Sequence, residues 1–220
     1  MSCAVFFAKE RVLRMMKEHG IQARGRKKFV VTMDSKHNLP IALNLLQRNF
    51  TAEAPNQRCT VDITDIATDE GWLYLAVVLN LFSCQVVGRS MQSHMQSSLV
   101  TDALRTAWFR RAPEANVTFH SDGGSQYCGH EFQSALAGYK AKSSMSRKGD
   151  CWDNAPTESW SRLKVACLYG GKFETCRRAM DEVVDGMRFY NHRRIHSTLG
   201  YVSPMQFEKS WHAAQLLNAA

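Results

Sequence analysis

Three acidic residues of this 220-residue chain stand where phosphodiester chemistry could be done. Asp62 lies in Thr60-Val61-Asp62-Ile63-Thr64, and Asp122 in Phe119-His120-Ser121-Asp122-Gly123-Gly124-Ser125-Gln126-Tyr127. Glu158 lies in Asp153-Asn154-Ala155-Pro156-Thr157-Glu158-Ser159. Transfer of a phosphodiester needs charge stabilised on both the attacking and the leaving oxygen, which two hard cations roughly 3.5–4 Å apart can do. Mg²⁺ prefers oxygen ligands, keeps several waters and takes only one or two carboxylates beside the substrate phosphate. A protein of this kind therefore needs about three carboxylates gathered from distant parts of the chain, one of them shared between the ions. Asp62, Asp122 and Glu158 meet that need if their elements converge.

Composition narrows the partner. The formal charge is +8, which favours a polyanion. Apolar residues are 45% and charged residues 22%, a globular balance rather than a disordered one. No apolar run reaches the roughly 18 residues of a membrane span, and the irregular cysteine usage makes a reducing cytosol the expected compartment. The seven cysteines are odd in number and contain no C-x-x-C pair, so neither a disulfide framework nor a zinc ribbon is indicated. The spacing of His120, Cys128 and His130 fits no common zinc pattern.

The elements that must position the carboxylates can be read from periodicity. Residues 9–19 have helical spacing, with Val12, Met15 and Met16 on one face and Gly20 as the stop. Gly25-Arg26-Lys27-Lys28 is either a solvated linker or a phosphate contact through Lys27 and Lys28. Residues 34–56 read as a linker with a short helix around Ile41–Gln47. From Thr60 a strand bearing Asp62 turns at Thr68-Asp69-Glu70-Gly71 into the buried run Trp72–Leu81, and Gln85–Met91 follows as a third strand. Ser98–Arg111 is an amphipathic helix, and Asn116–His120 is a strand with Asp122 just past its end. A helix at Glu131–Leu136 and a strand at Ala141–Met145 come next. Asp153 or Asn154 caps a helix that Pro156 can enter, which puts Glu158 in its first turn and Asn154 four residues earlier on the same face. Thr175–Tyr190 is another helix. Asp65, three strand residues from Asp62, faces away from it, and Trp72 and Trp108 are expected in the core. Periodicity alone supports a mixed α/β protein. A three-strand meander followed by alternating helices and strands narrows this to a ribonuclease-H-like core, a mixed five-stranded sheet with flanking helices, joined to a partial N-terminal helical segment and a C-terminal helical tail.

Five motifs in order carry a resemblance: Asp62-Ile63-Thr64; Gly71–Leu79; His120-Ser121-Asp122 with Gly124–Tyr127; Asp153-Asn154-Ala155 with Glu158-Ser159; and Tyr190–Arg194 with His196–Tyr201 and Ser203-Pro204. Together they resemble the OrfB, integrase-core part of bacterial transposases of the insertion-sequence-three family, over roughly residues 20–210. The spacing agrees, since 158 − 122 − 1 leaves 35 residues between Asp122 and Glu158, the separation expected of this D-D-E group, which is similar to retroviral integrases. The resemblance implies a ribonuclease-H-like core and two Mg²⁺ or Mn²⁺ ions on Asp62, Asp122 and Glu158. It implies cleavage at DNA element ends and strand transfer to target DNA. Its implied partners are an upstream OrfA-type protein or fusion, and other copies of the chain on DNA. The corresponding divisions are 1–57, a partial N-terminal region; 58–170, the catalytic core; and 171–220, a helical extension with a basic tail.

Some positions depart from the family pattern. Cys59, Asp65, Asn80, Cys84, Arg89 and Gly123 replace Trp, Tyr, Asp, Arg, Trp and a basic residue or Gln in that order. Val165 stands seven residues after Glu158, where a basic residue is usual. At about 100° per residue, Lys164 points roughly 120° from Glu158 and Arg162 within about 40° of it, so Arg162 is the expected substitute contact to DNA. Reduced activity is the expected consequence, and a catalytically impaired, DNA-binding remnant is the alternative reading. Arg193 and Arg194 are expected on phosphates. His120 is expected as a packed residue beside the site, and Asn154 as a cap or an orienting group.

Overall fold

Side-chain alternation along one strand decides how the sheet is covered. The structure, a computed structural model, describes residues 9–21, 37–114, 116–147 and 173–218. Its chain forms two compact units, Met1–Val31 and Thr32–Ala220. In the first, α1 (Lys9–Glu18) is the expected helix, followed by Gly20 at φ 63°. In the second, β1 (Arg58–Thr68) sends Cys59, Val61 and Ile63 to one side and Thr60, Asp62, Thr64 and Ile66 to the other. It turns at Thr68–Gly71, with Gly71 at φ 125°, into β2 (Gly71–Asn80), and β3 (Val86–Gln92) completes the antiparallel meander. The second half adds α2 (Ser97–Arg111), β4 (Thr118–Ser121), α3 (Ser125–Cys128), α4 (His130–Gly138) and β5 (Lys142–Met145). β4 pairs parallel to β1 and β5 parallel to β4, so the five-stranded sheet runs β3-β2-β1-β4-β5. This is the expected mixed sheet.

Each face has its own core. Val61, Val78 and Phe119 pack with Leu99, Ala103 and Leu104 of α2 and with Tyr127, Phe132 and Leu136. Gly88 of β3 lets α2 lie close, because a Cβ there would sit 2.6 Å from Ala107 Cβ. On the other face Leu75, Val77 and Leu79 pack with Ala179, Val183, Met187 and Tyr190 of α5 (Cys176–His192).

The C-terminal motif is a clamp on this sheet. The Asn191 side-chain amide donates to Val86 O and accepts from Val86 N, both at 2.9 Å, and so closes the edge strand beside the β-bulge of β3. Beyond α5, His196 bridges Val202, Leu199 is buried in a 3-10 turn (Ser197–Leu199), and Gly200 adopts φ 72°. In α6 (Pro204–Asn218), Glu208 is 5% exposed, accepts from Ser83 Oγ at 2.7 Å and pairs with Arg111 of α2. Arg111 also donates to Asn56 Oδ1 at 2.7 Å.

Two expectations are corrected. Residues 41–47 hold no helix. Asn44 Oδ1 instead takes the N–H groups of Leu46 and Gln47, and Gln47 and Arg48 adopt positive φ, a local turn that competes with helix. The segment runs as a strap, with Leu45 N–H on Ser144 Oγ (2.9 Å) and Ala42 N–H on Met145 Sδ (3.3 Å). Trp72 is 53% exposed rather than core, because it starts β2 at the rim beyond the helices. Trp108 is half-buried and stacks on Tyr139, with ring centroids 4.5 Å apart.

Candidate active site

Asp62 and Asp122 come together through strand register. β1 and β4 are parallel neighbours whose last paired residues are Thr60 and His120. Each aspartate follows its paired residue by two positions, on strands spaced about 4.8 Å apart. Cross-strand pairing with Val77 places Asp62 well inside the sheet, whereas Asp122 sits where β4 ends and the Gly123-Gly124 loop begins. There Asp122 Oδ1 accepts the Gly124 N–H at 2.9 Å, which aims the carboxylate. Burial raises the Asp122 pKa, and the Gly124 hydrogen bond offsets part of that rise. The strap reaches this loop through His37 Nε2, 2.8 Å from Gly123 O.

Tyr127 reports on both carboxylates. Its phenol is held well above the usual range, first by burial and then by the charges of Asp122 and Asp62. Both carboxylates therefore lie within electrostatic reach of one hydroxyl. That hydroxyl is buried and meets no hydrogen-bond partner among the described residues, and neither do Thr60 Oγ1 and Thr64 Oγ1, which share the sheet face of Asp62. Sequence reading missed Tyr127. Its only cue is that it follows Asp122 by five residues, and the α3 turn that swings it back is not visible as periodicity.

The donor set fits a hard cation. Carboxylate oxygens dominate it, and the orphaned phenol supplies a polar group for a hydrated ion. The nearby thiol is no soft ligand. Cys128 is pushed up by burial and by Asp122, stays a neutral thiol and rests its Sγ 3.6 Å from Met145 Sδ. Among the described residues no three His, Cys, Asp or Glu side chains form a metal cluster. Glu158, with Asn154, Arg162, Lys164, Lys27 and Lys28, lies outside the described residues.

His120 occupies the position paired with Thr60 and is fully buried. Its Nδ1 is 2.9 Å from Ser144 Oγ and its ring meets Phe50 edge-on at 6.4 Å. Arg193 and Arg194 are placed elsewhere, at the end of α5 where Asn191 grips β3, three strand positions from β4. Arg194 lies 6.0 Å from the Tyr190 ring centroid.

Comparison with known proteins bears on the family and the fold. Residues 52–151 and residues 159–210 each match a family model described as an integrase core domain. The chain is 39% identical over 210 residues to an uncharacterized 31 kDa protein of insertion element IS600 from Shigella sonnei, spanning 94% of this chain and 77% of that protein. It is 42% identical over 201 residues to transposase InsF of insertion sequence IS3A from Escherichia coli K12, spanning 90% and 69%. Among solved structures it is similar to the HTLV-2 integrase catalytic core domain in complex with magnesium, with a TM-score of 0.56, 16% identity, and coverage of 71% of this chain and 99% of that one. It is also similar to a chain of the simian T-cell lymphotropic virus intasome, with a TM-score of 0.61, 17% identity, and coverage of 80% and 60%. These neighbours share the ribonuclease-H-like fold expected from the strand order. With integrase-core models matching residues 52–151 and 159–210 in turn, and relatives about 40% identical matched over most of their length, the chain belongs to the integrase-core, DDE-type transposases of the insertion-sequence-three family.

Proposed function

We propose that Asp62, Asp122 and Glu158 are the catalytic carboxylates of this transposase and together hold two Mg²⁺ or Mn²⁺ ions for cleavage at DNA element ends and strand transfer into target DNA. What carries this reading is the placement of Asp62 and Asp122 each two residues beyond Thr60 and His120, the last paired positions of parallel β1 and β4, with the charges of both felt by Tyr127. The bound cations would supply charge stabilisation at the attacking and leaving oxygens of an in-line displacement. The chain's own work is positioning. Gly124 holds Asp122 in aim, the buried Tyr127 hydroxyl lies within electrostatic reach of both carboxylates, and His120 is fixed by its Nδ1 contact with Ser144. No covalent protein–DNA intermediate is needed, so no serine, tyrosine or cysteine is assigned as nucleophile.

The remaining assignments belong to the same reading. Arg193 and Arg194 contact DNA phosphates, as do Arg162, Lys164, Lys27 and Lys28, and Asn154 orients the Glu158 end of the site. The chain divides into 1–57, 58–170 and 171–220. It works with an OrfA-type partner or fusion, as an oligomer on DNA, in the cytoplasm. No helix among the described residues is long and apolar enough to cross a membrane. Nothing in the described residues specifically favours an impaired, binding-only copy.

A strand-transfer assay on oligonucleotide duplexes in Mg²⁺ tests the assignment. Asp62→Asn, Asp122→Asn and Glu158→Gln should each lose at least about 100-fold in rate, while binding the duplex like the parent in EDTA. Retained transfer in any of the three removes that residue from the site.

A further inference from the structure

A second charged surface lies away from the carboxylates. Asp62 pairs with Val77, and Val77 pairs with Arg89, so Arg89 lies on the same sheet face two strands over, about 10 Å away. Val77, between them, is buried under Val183 and Met187 of α5. Arg89 therefore opens on the far flank of that helix. There it lines a cavity of about 300 Å³ with Arg110 from the last turn of α2, and Arg188 and His192 from α5. A neighbouring hollow shares Arg188 and His192 and adds Arg193.

The chemistry of this groove is one-sided. The side chains of Arg89, Arg110, Arg188, His192 and Arg193 make no ion pair or hydrogen bond among the described residues, and Asp185 is the one carboxylate on the rim there. Arg89 is only half-exposed, and both burial and the charge of Arg110 lower its pKa, so the two guanidinium groups sit close enough to repel. Each cation alone has an ordinary account. Arginine on an edge strand discourages sheet pairing, and Arg110 and His192 suit helix C-termini. Neither account explains why cations from β3, α2 and α5 converge on one cavity whose own lining holds no carboxylate, with Asp185 of the adjoining hollow the one acid against them among the described residues. Such convergence costs repulsion that a bound polyanion removes.

We propose that the groove lined by Arg89, Arg110, Arg188 and His192 is a phosphate-binding track for duplex DNA, on the flank of α5 opposite the catalytic carboxylates. Arginine forks suit phosphate oxygens, and the +8 charge of the chain suits the same partner. The proposal goes beyond the catalytic assignment and does not require it.

The test is fluorescence-anisotropy binding of the full chain to a labelled duplex in EDTA, between about 50 and 200 mM salt. Removing the catalytic ions from the assay keeps failure of the carboxylate assignment from affecting the outcome. The triple variant Arg89→Ala, Arg110→Ala, Arg188→Ala should lower the slope of log affinity against log salt by about 2–3, with affinity down at least tenfold at the lower salt. The triple lysine variant should recover most of the slope. Arg14→Ala, Arg105→Ala, Arg177→Ala removes equal charge from arginines already paired with Glu18, Asp102 and Asp181, and should change it little. Should the alanine triple fail to fold, Arg110→Glu with Arg188→Glu, both at exposed positions, reads the same slope. A groove variant that loses no more slope or affinity than the paired-arginine control overturns the proposal, including the case in which the groove serves an acidic protein instead.

Discussion

Replacing Tyr127 by phenylalanine removes one hydroxyl and should reverse its effect on stability when divalent cation is added. Tyr127 is 1% exposed, and its ring meets Phe132 edge-on with centroids 5.7 Å apart, a contact that phenylalanine keeps. Its hydroxyl has no partner among the described residues. A buried hydroxyl left unsatisfied costs about 1–3 kcal/mol. In EDTA the variant should therefore be more stable than the parent by about 1 kcal/mol, which for a chain of this size raises Tm by about 2–4 °C. Near two carboxylates, however, that O–H is a donor for whatever a hydrated cation brings. Loss of a supporting hydrogen bond beside a metal site weakens metal affinity by about 10–100-fold. At saturating Mg²⁺ this reduces the cation-linked stabilisation by about 1.4–2.7 kcal/mol, enough to bring the variant level with the parent or below it. Scanning calorimetry with and without Mg²⁺ reads both effects. A variant that melts below the parent in EDTA, or gains as much from Mg²⁺ as the parent does, refutes the placement of this hydroxyl.

Glu208→Ala leaves the half-buried Arg111 without its carboxylate and the buried Ser83 Oγ without its acceptor, so it should destabilise the chain by about 1–3 kcal/mol. Urea unfolding that shows less than about 1 kcal/mol would mean that α6 is not locked to the sheet edge in solution. The Cys59 thiol is pushed up to about 12, chiefly by burial. Because its folded pKa lies above the unfolded one, the stability it carries is complete below about pH 8.5 and falls by about 1.4 kcal/mol per unit as pH rises from there towards 12. Denaturant midpoints from pH 8 to 10 should drop more steeply for the parent than for Cys59→Ala, and parallel curves would show that the thiol is not so buried.

The sheet was legible because its strands alternate or run apolar between plain turn signals. Asp62 could be placed on β1, and Asp122 just past β4, from local pattern alone. That they meet follows from parallel pairing at Thr60 and His120, which no local pattern announces. The strap at 37–50 was misread because Ile41, Ala42, Leu45 and Leu46 look like a helix face, while a side-chain amide, Asn44, decides the turn. Asn191 is similar. Its amide copies a strand's hydrogen bonds, so a motif that reads as a basic tail is first a clamp on β3. The arginine groove needed the register Asp62–Val77–Arg89 and two helix ends brought side by side, which only the fold supplies.

The central claim is that three carboxylates from separate elements hold the catalytic cations, and calorimetric titration of the chain with Mn²⁺ tests it most directly. The parent should bind Mn²⁺ in the presence of a DNA duplex with a stoichiometry of two. Asp62→Asn, Asp122→Asn and Glu158→Gln should each lower that stoichiometry, or weaken binding by at least about tenfold. Parent-like Mn²⁺ binding by all three variants would contradict the account.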